Sequence, residues 1–431
     1  MKRTRRTFPG KFHKEKKPNK LLRFWKRLGP GLVTGASDDD PSGIATYSQA
    51  GAAYGLSTLW TALITFPLMA SIQEMCARIG LVTSHGLAGT LKTNYSKPVL
   101  YAMLVFSSPA IVMNIGADIA GMGAVGNLLF PSIPATFFSI GFTVILLVLI
   151  VFLPYQKIAA VLKYLCVVLL VYLIVPFLYQ QDWGAVLKAT FIPTIRFDKS
   201  FIGILVAILG TTISPYLFFW QATMEVEDMK NKKKCLVVNK RIMRAMQQDV
   251  DFGMLFSNLV MFFIILTTGS VLFNAHVHRI DTVEQAAQAL KPLAGNAAYL
   301  LFALGVIGTG FLAIPVLCGS LSYIITESFG WKDGLDKKFH NAKAFYIIII
   351  ISLILGLLLN FVGISPIKAL IYSAILYGLT APVLIAIILH ISNNKKIMGK
   401  NTNGKMSNIL GAMALVLMTV AGVILIYMQL K

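Results

Sequence analysis

Long runs of apolar residues, separated by short polar or basic segments, recur along almost the whole chain of 431 residues. Each run is near the roughly 20 residues that an α-helix needs to cross the hydrocarbon of a bilayer. Helices satisfy their own backbone hydrogen bonds, whereas open strands in lipid do not. The pattern predicts eleven membrane-spanning helices, at about residues 29–53, 57–80, 98–129, 135–154, 158–180, 201–225, 251–274, 296–326, 344–362, 367–391 and 407–429.

The composition agrees with an integral membrane protein, since 56% of the residues are hydrophobic, 13% are charged and the mean hydropathy is +0.71. The 39 Lys and Arg residues outnumber the 18 Asp and Glu residues, and they are densest in residues 1–28, which are predicted to form a basic cytoplasmic arm. The positive-inside rule predicts a multi-pass protein of the plasma (inner) membrane with a cytoplasmic N-terminus and an extracytoplasmic C-terminus. Topology and anionic headgroups explain the charge, so no nucleic-acid partner is expected.

Three consecutive aspartates interrupt the first apolar run, in the stretch GASDDDPSGIAT. A carboxylate placed in the bilayer costs at least about 2.5–3.5 kcal/mol, so such residues indicate a functional site. The alternative is a solvated loop in a water-filled vestibule. Successive helix positions point about 100° apart, so the three cannot all face one cavity. Asp40, beside Pro41, is the best cation ligand, while Asp38 and Asp39 are expected to join it or to face solvent or partner helices.

A second helix break is predicted in GTTISPYLFFWQ, where Pro215 lies in the middle of the sixth span. A simple proline kink is the alternative. The two interrupted spans, however, begin two sets of five spans at corresponding positions. Paired interrupted helices indicate a transporter built from inverted repeats with its site near the bilayer midplane. The repeats are predicted at residues 29–180 and 201–391, with the helix at 407–429 outside them.

Four motifs resemble those of the NRAMP family of divalent metal transporters: GPGLVTGASDDDPSG, SIQEMCARIGLVTSHGLA, GADIAGMGAVGNLLF and LGTTISPYLFFWQA. The resemblance extends from about residue 29 through the tenth span. It implies an all-α, LeuT-like fold of five plus five helices with broken helices 1 and 6, followed by an eleventh helix. It also implies a divalent metal ion as substrate.

The family's metal-binding residues are only partly present. The resemblance places its aspartate at Asp40 and its asparagine at Gly43. The carbonyl-donating alanine is Thr211, the methionine ligand is Ser214 and the glutamine is Ala374. Without the thioether, the remaining carboxylate, carbonyl and hydroxyl oxygens suit magnesium, calcium or manganese. A roomy oxygen site fits a partly hydrated Mg²⁺, as in the NRAMP-related magnesium transporter branch, and Mn²⁺ remains an alternative.

The family's proton-transfer residues are also altered. Asp118 is kept, but its acidic partner three residues on is Gly121, and the two histidines of the sixth helix are Tyr216 and Gln221. Tyrosine and glutamine do not titrate near neutral pH. We therefore expect little or no proton coupling. Asp118 has either a residual proton or ion role, or a structural one as a buried acid bonded to a broken helix end.

Two further residues are weaker pathway candidates. Asn258 either lines the cavity or bridges helices, and Glu225 is either an exit-path ion site or part of a solvated cytoplasmic mouth. No span contains a GxSxG or HExxH motif, so an enzyme is not expected. We expect no cofactor and a monomer in the bilayer. The alternative functions are a proton-coupled Mn²⁺/Fe²⁺ transporter and a LeuT-fold amino acid or amine transporter.

Overall fold

The computed structural model describes residues 29–153, 171–178, 181–231 and 239–431, and within these ranges the chain forms helices joined by short connections. The predicted arm at residues 1–28 and most of the predicted fifth span lie outside the described residues. The α-helices are α1 (Pro30–Asp38), α2 (Pro41–Tyr54), α3 (Trp60–Thr83), α4 (Leu87–Asn94), α5 (Lys97–Leu129), α6 (Ala135–Phe152), α7 (Val171–Leu178), α8 (Trp183–Phe191), α9 (Lys199–Thr212), α10 (Pro215–Asn231), α11 (Lys240–Val271), α12 (Val283–Ala287), α13 (Lys291–Ala294), α14 (Ala298–Phe329), α15 (Lys343–Leu359), α16 (Pro366–Asn393), α17 (Lys395–Met398) and α18 (Lys405–Leu430).

Eight helices in the described ranges are by themselves long and apolar enough to cross a membrane, counting α9 and α10 as one. Residues 41–58 and α3 form a further apolar pair bent by 109°, which is the turn between the first and second predicted spans. The seventh helix differs from its prediction. It begins at Lys240 rather than near residue 251, because the Asn239 side chain caps the backbone N–H groups of Arg241 and Ile242 at 3.0 Å.

Proline sets both helix breaks. Helix α2 begins with Pro41 and helix α10 begins with Pro215. Proline lacks the backbone N–H that a continuous helix needs and its ring clashes with the preceding turn, but it is well tolerated in the first turn of a new helix. The first and sixth spans are therefore each divided into two helices. The predicted breaks are present at both positions.

Burial separates the central helices from the peripheral ones. In the apolar part of the α9–α10 span, 94% of the residues are buried, against 22% in α6 and 28% in α18. The broken sixth span is thus surrounded by protein, whereas α6 and α18 present apolar side chains outward, as lipid-facing helices do. Helices α1 and α2 pack on α11, and α9 packs on α16.

A contact between glycines brings α1 against α11. A Cβ atom added to Gly35 would lie 2.1 Å from the carbonyl oxygen of Gly253, and one added to Gly253 would lie 2.0 Å from that of Gly31. Small residues at helix crossings allow this close backbone approach in membranes. The end of the bundle that holds Gly29 and Lys240 is the predicted cytoplasmic end and is called the inner end below.

Candidate functional site

Asp40 lies at the break in the first span, where it caps the N-terminus of α2. Its Oδ1 accepts a hydrogen bond from the backbone N–H of Gly43 at 2.7 Å. Its Oδ2 accepts one from the Asn114 side-chain amide on α5 at 2.8 Å. Only 2% of the Asp40 surface is exposed. A carboxylate at a helix N-terminus is favoured both by the free N–H groups and by the helix dipole. Two helices therefore fix the orientation of this side chain.

A second layer of polar groups supports Asn114. The Ser373 hydroxyl on α16 lies 2.8 Å from Asn114 Oδ1, 2.8 Å from the Leu370 carbonyl and 3.1 Å from the Ser42 hydroxyl. This network joins α2, α5 and α16 behind the Asp40 carboxylate. Asn114 and Ser373 are not among the residues predicted from the sequence. An asparagine in the middle of the third apolar run was the available signal, because an amide in lipid needs partners.

Asp38 and Asp39 do not face solvent, since their exposures are 0% and 1%. Both carboxylates meet the hydroxyl of Ser257 on α11, with 2.6 Å to Asp38 Oδ2 and 3.3 Å to Asp39 Oδ1. Asp38 and Asp39 thus face a partner helix, α11, and do not face solvent. The break makes this possible, because Asp39 ends α1 with non-helical backbone angles (φ −83°, ψ 57°). Ser257 was also missed.

The break in the sixth span faces the break in the first. The Ser214 hydroxyl lies 2.5 Å from the Thr211 carbonyl and 3.3 Å from Asp38 Oδ1. A Cβ added to Gly43 would lie 3.2 Å from the Thr211 hydroxyl oxygen. The structure thus brings Ser214 to Asp38 and Gly43 to Thr211 across the two breaks. Asp40 lies beside them on the Asn114 side, and Asp39 lies on the Ser257 side.

All the polar groups so far described at the two breaks bind through oxygen or nitrogen. No three His, Cys, Asp or Glu side chains among the described residues gather in a way that could hold a metal ion. A cation here would therefore take one or two carboxylates together with hydroxyl or carbonyl oxygens. A sulfur atom lies close by in Met261, whose Sδ is 3.6 Å from the Thr212 hydroxyl. That hydroxyl donates at 2.5 Å to the Ile208 carbonyl.

Asp118 lies one helical turn after Asn114 on α5 and is fully buried. Neither of its carboxylate oxygens forms a hydrogen bond in the part of the chain that the structure describes, although the backbone amide of Ser42 is close enough to interact electrostatically. Ser42 lies in the first turn of α2, at the broken helix end, so both alternatives for the role of Asp118 stay predictions. Asp118 shares the buried region around the breaks with Asp40.

The other two pathway candidates lie elsewhere. Asn258 bridges helices: its Oδ1 accepts from Thr65 at 2.9 Å, and its amide donates to the Ala62 carbonyl at 2.6 Å. Glu225 is 5% exposed and accepts a hydrogen bond from Gln221 at 3.0 Å. The Glu225 side chain is therefore buried at this level of α10, and its role in an exit path stays a prediction.

Polar contacts close the inner end below the breaks. The Thr34 hydroxyl donates to Gln221 Oε1 at 2.5 Å, and the Tyr216 hydroxyl donates to the Ser37 carbonyl at 2.8 Å. Both contacts join α1 to α10. Tyr216 and Gln221, at the positions where the resemblance implies histidine, thus form hydrogen bonds between α1 and α10.

A cavity of about 300 Å³ opens at the inner end, between α10, α14 and the following loop. It is lined by Glu227, Glu327, Asp333 and Asp336 together with Lys230, Lys337 and His85. Burial raises the pKa of Asp333 above its ordinary value, although Lys337 and Lys230 act in the opposite direction. Four acidic side chains facing one cavity favour cations over anions at this end.

Comparisons with known proteins agree with this geometry. The model of the Nramp family, described as natural resistance-associated macrophage protein-like, matches residues 31–428. The divalent metal cation transporter MntH of Caldanaerobacter subterraneus subsp. tengcongensis is 23% identical over 416 residues, which cover 95% of each chain. The MntH protein of Granulibacter bethesdensis is 22% identical over 392 residues, which cover 89% of this chain and 85% of that one.

Solved structures show the same fold. The manganese transporter of Eremococcus coleocola superposes with a TM-score of 0.73 at 19% identity, covering 93% of this chain and 87% of that one. MhsT in complex with L-phenylalanine gives 0.61 at 13% identity, covering 94% and 98%. The predicted fold class, an all-α membrane protein of LeuT-like architecture with broken helices 1 and 6, is confirmed.

Proposed function

Because the chain belongs to the Nramp family, whose model matches it from residue 31 to residue 428, we propose that it transports a divalent metal cation across the plasma membrane. We further propose that the ion is a partly hydrated Mg²⁺ that moves by alternating access with little or no proton coupling. The two breaks near the middle of the bundle supply the site. The observation that carries the magnesium assignment is the set of oxygen groups that meet there.

The ligands that we assign are the carboxylates of Asp40 and Asp38 together with the hydroxyl and carbonyl groups at Ser214 and Thr211. Hard oxygen ligands suit Mg²⁺, which keeps several waters and is usually held by one or two carboxylates. Gly43 carries no side chain that would fill the space between Asp40 and Thr211. Water molecules of the ion can occupy that space once the two breaks separate.

The low proton coupling follows from the side chains that occupy the family's proton-transfer positions. Tyr216 donates to the Ser37 carbonyl, and Gln221 bonds to Thr34 and Glu225. These fixed neutral groups cannot accept and pass on a proton near neutral pH. Gly121 provides no carboxylate beside Asp118. The ion gradient and the membrane potential then drive inward transport.

Transport of Mn²⁺ or Fe²⁺ is the second candidate, and one observation favours it. The Met261 thioether contacts Thr212, the residue that follows Thr211 in the sequence. A thioether favours transition metals over Mg²⁺. The relatives named above as metal cation and manganese transporters point the same way. An amino acid substrate is disfavoured, because Asp38, Asp39 and Asp40 would repel a substrate carboxylate at the helix ends, whereas this argument does not apply to a cationic amine.

We propose that the ion enters from the outer side and leaves toward the acidic inner cavity when α1 and α10 move apart. The contacts of Thr34 and Tyr216 hold these two helices together at the inner end. This arrangement corresponds to a state closed on the inner side. The N-terminus is cytoplasmic, the C-terminus is extracytoplasmic and the monomer is the transporting unit in this proposal.

Ion uptake into vesicles containing the purified protein tests the proposal. An internal magnesium dye and a parallel pH dye should report Mg²⁺ entry without acidification, and Asp40→Asn should abolish the entry. Asp281→Asn, at an exposed loop position paired with Arg279, is the matched control and should transport normally. Exclusion of Mg²⁺ together with proton-linked entry of Mn²⁺ would overturn the magnesium assignment.

A further inference from the structure

The carboxylates of Asp38 and Asp39 have more acceptor oxygens than donors. They present four oxygens, and the surrounding hydroxyls in contact with them are those of Ser257 and Ser214. Each hydroxyl donates one proton. Ser257 can satisfy either Asp38 or Asp39 but not both. Ser214 lies much closer to the Thr211 carbonyl, at 2.5 Å, than to Asp38 Oδ1, at 3.3 Å. At least two of the four oxygens therefore lack a donor.

One of these oxygens, Asp39 Oδ2, has no hydrogen-bond partner among the described residues. This oxygen is buried, and the residue as a whole is 1% exposed. An unpaired carboxylate oxygen away from water carries the full penalty of desolvation. Asp40 differs, because both of its oxygens have N–H donors. The group formed by Asp38, Asp39 and Ser257 thus extends beyond the Asp40 position, with Asp38 shared between the two, and it contains a buried oxygen that no donor in the described part of the chain satisfies.

The charge of the buried region supports the same conclusion. Asp38, Asp39, Asp40 and Asp118 are all buried around the breaks, and none of them has a Lys, Arg or His ion-pair partner in the described ranges. One divalent ion at Asp40 would neutralise two of these carboxylates. Buried charges without partners are unfavourable by several kcal/mol each. A second divalent ion would neutralise the remainder.

We propose that Asp38, Asp39 and the Ser257 hydroxyl form a second divalent-cation position, next to the one at Asp40. This proposal rests on the proposed transport function and adds the number of ions that the site holds. Carboxylate and hydroxyl oxygens are ligands for a hard ion such as Mg²⁺. Helix α11 supplies Ser257, so α1 and α11 share the second ion whereas α2 and α5 orient Asp40. Two neighbouring cations repel, which weakens the binding of each and favours release during transport.

Counting the ions bound by the purified full-length chain at neutral pH tests the proposal. Mg²⁺ and, separately, Mn²⁺ are titrated by equilibrium dialysis. The wild type should bind two ions per chain. Asp39→Asn and Ser257→Ala should each weaken one of the two sites by about tenfold or more without weakening the other, while Asp40→Asn should weaken the other.

Two serine variants keep the test independent of folding. Ser257→Thr retains the hydroxyl and should retain both ions. Ser107→Ala, on α5, removes a buried hydroxyl that forms no hydrogen bond among the described residues and should also leave both ions bound. A wild type that binds one ion, removed only by Asp40→Asn, would overturn the second position and leave the proposed function standing. Two bound Mn²⁺ without bound Mg²⁺ would overturn the magnesium assignment and support the second position. Absence of binding for both metals would overturn both proposals.

Discussion

The carboxylate of Asp249 on α11 accepts a hydrogen bond from the backbone N–H of Gly31 at 2.7 Å. Its other oxygen accepts from the N–H of Gly29 at 2.8 Å. Asp249 therefore caps the free N-terminus of α1 from a neighbouring helix, at the inner end of the bundle. Negative charge at this position also complements the dipole of α1. If α1 also moves away from α11 when the inner side opens, these two hydrogen bonds must break.

Asp249→Asn should loosen the inner closure. An amide presents one acceptor oxygen where the carboxylate presents two, and it lacks the charge, so the cap should weaken by about 0.5–2 kcal/mol. A cysteine at Ser37, in a background without the native cysteines, should then react faster with an impermeant thiol reagent added from the inner side. Asp251→Asn, on the same helix, is the control. Equal labelling rates for Asp249→Asn and its control would mean that the cap does not hold α1 closed.

Gly35→Ala should prevent the closed packing of α1 on α11. The added methyl group would lie 2.1 Å from the Gly253 carbonyl oxygen. Because that oxygen belongs to the backbone, the clash can be relieved only if one of the two helices moves. We expect a lower melting temperature and a loss of most Mg²⁺ uptake.

Gly141→Ala is the matched control, because a Cβ there meets nothing within 4 Å on the outward-facing helix α6. It should melt at the same temperature or slightly higher, since alanine is favoured over glycine in helices by up to about 1 kcal/mol. Normal transport by Gly35→Ala would show that the glycine contact is not part of the transport cycle.

Asn114→Ala should impair the cation site while preserving every carboxylate. The change removes the donor to Asp40 Oδ2 and leaves that oxygen free to turn, so its position is no longer fixed. We expect Mg²⁺ uptake to fall by about tenfold, which corresponds to about 1.4 kcal/mol. Asn127→Ala removes an exposed amide that binds only loop carbonyls, and its uptake should match the wild type. An unchanged rate for Asn114→Ala would remove Asn114 from the site.

Met261→Leu distinguishes the two candidate metals. If the ion is held by oxygen ligands alone, the change removes only a neighbour of Thr212, and the ratio of Mg²⁺ to Mn²⁺ uptake should stay the same. If the thioether is a ligand, Mn²⁺ uptake should fall while Mg²⁺ uptake does not. Met413→Leu, at an exposed position on α18, controls for the general effect of removing a sulfur atom. Competition between the two ions in one vesicle preparation gives the ratio directly.

The sequence by itself determined the fold class and the positions of both helix breaks. Apolar runs of membrane-crossing length can only be helices in lipid, and Pro41 and Pro215 interrupt a helix through their covalent structure wherever they stand within one. The aspartates at residues 38–40 were recognisable for the same kind of reason, because a carboxylate in an apolar span is costly in any fold. Span length, proline position and the cost of a buried carboxylate are local properties, so each can be inferred from a single segment of the chain.

The partners of those aspartates were decided only by the tertiary structure. Ser257, Asn114 and Ser373 are separated from the first break by long stretches of chain, and small polar residues of this kind occur in many spans. Nothing in their local sequence distinguishes a hydroxyl that meets a carboxylate from one that bonds to its own helix. The same is true of Asp249 on α11, which in the structure caps the N-terminus of α1. Which helices pack side by side, and at what rotation, depends on contacts summed over the whole bundle, and that sum fixes how a row of three carboxylates is divided between two sets of ligands.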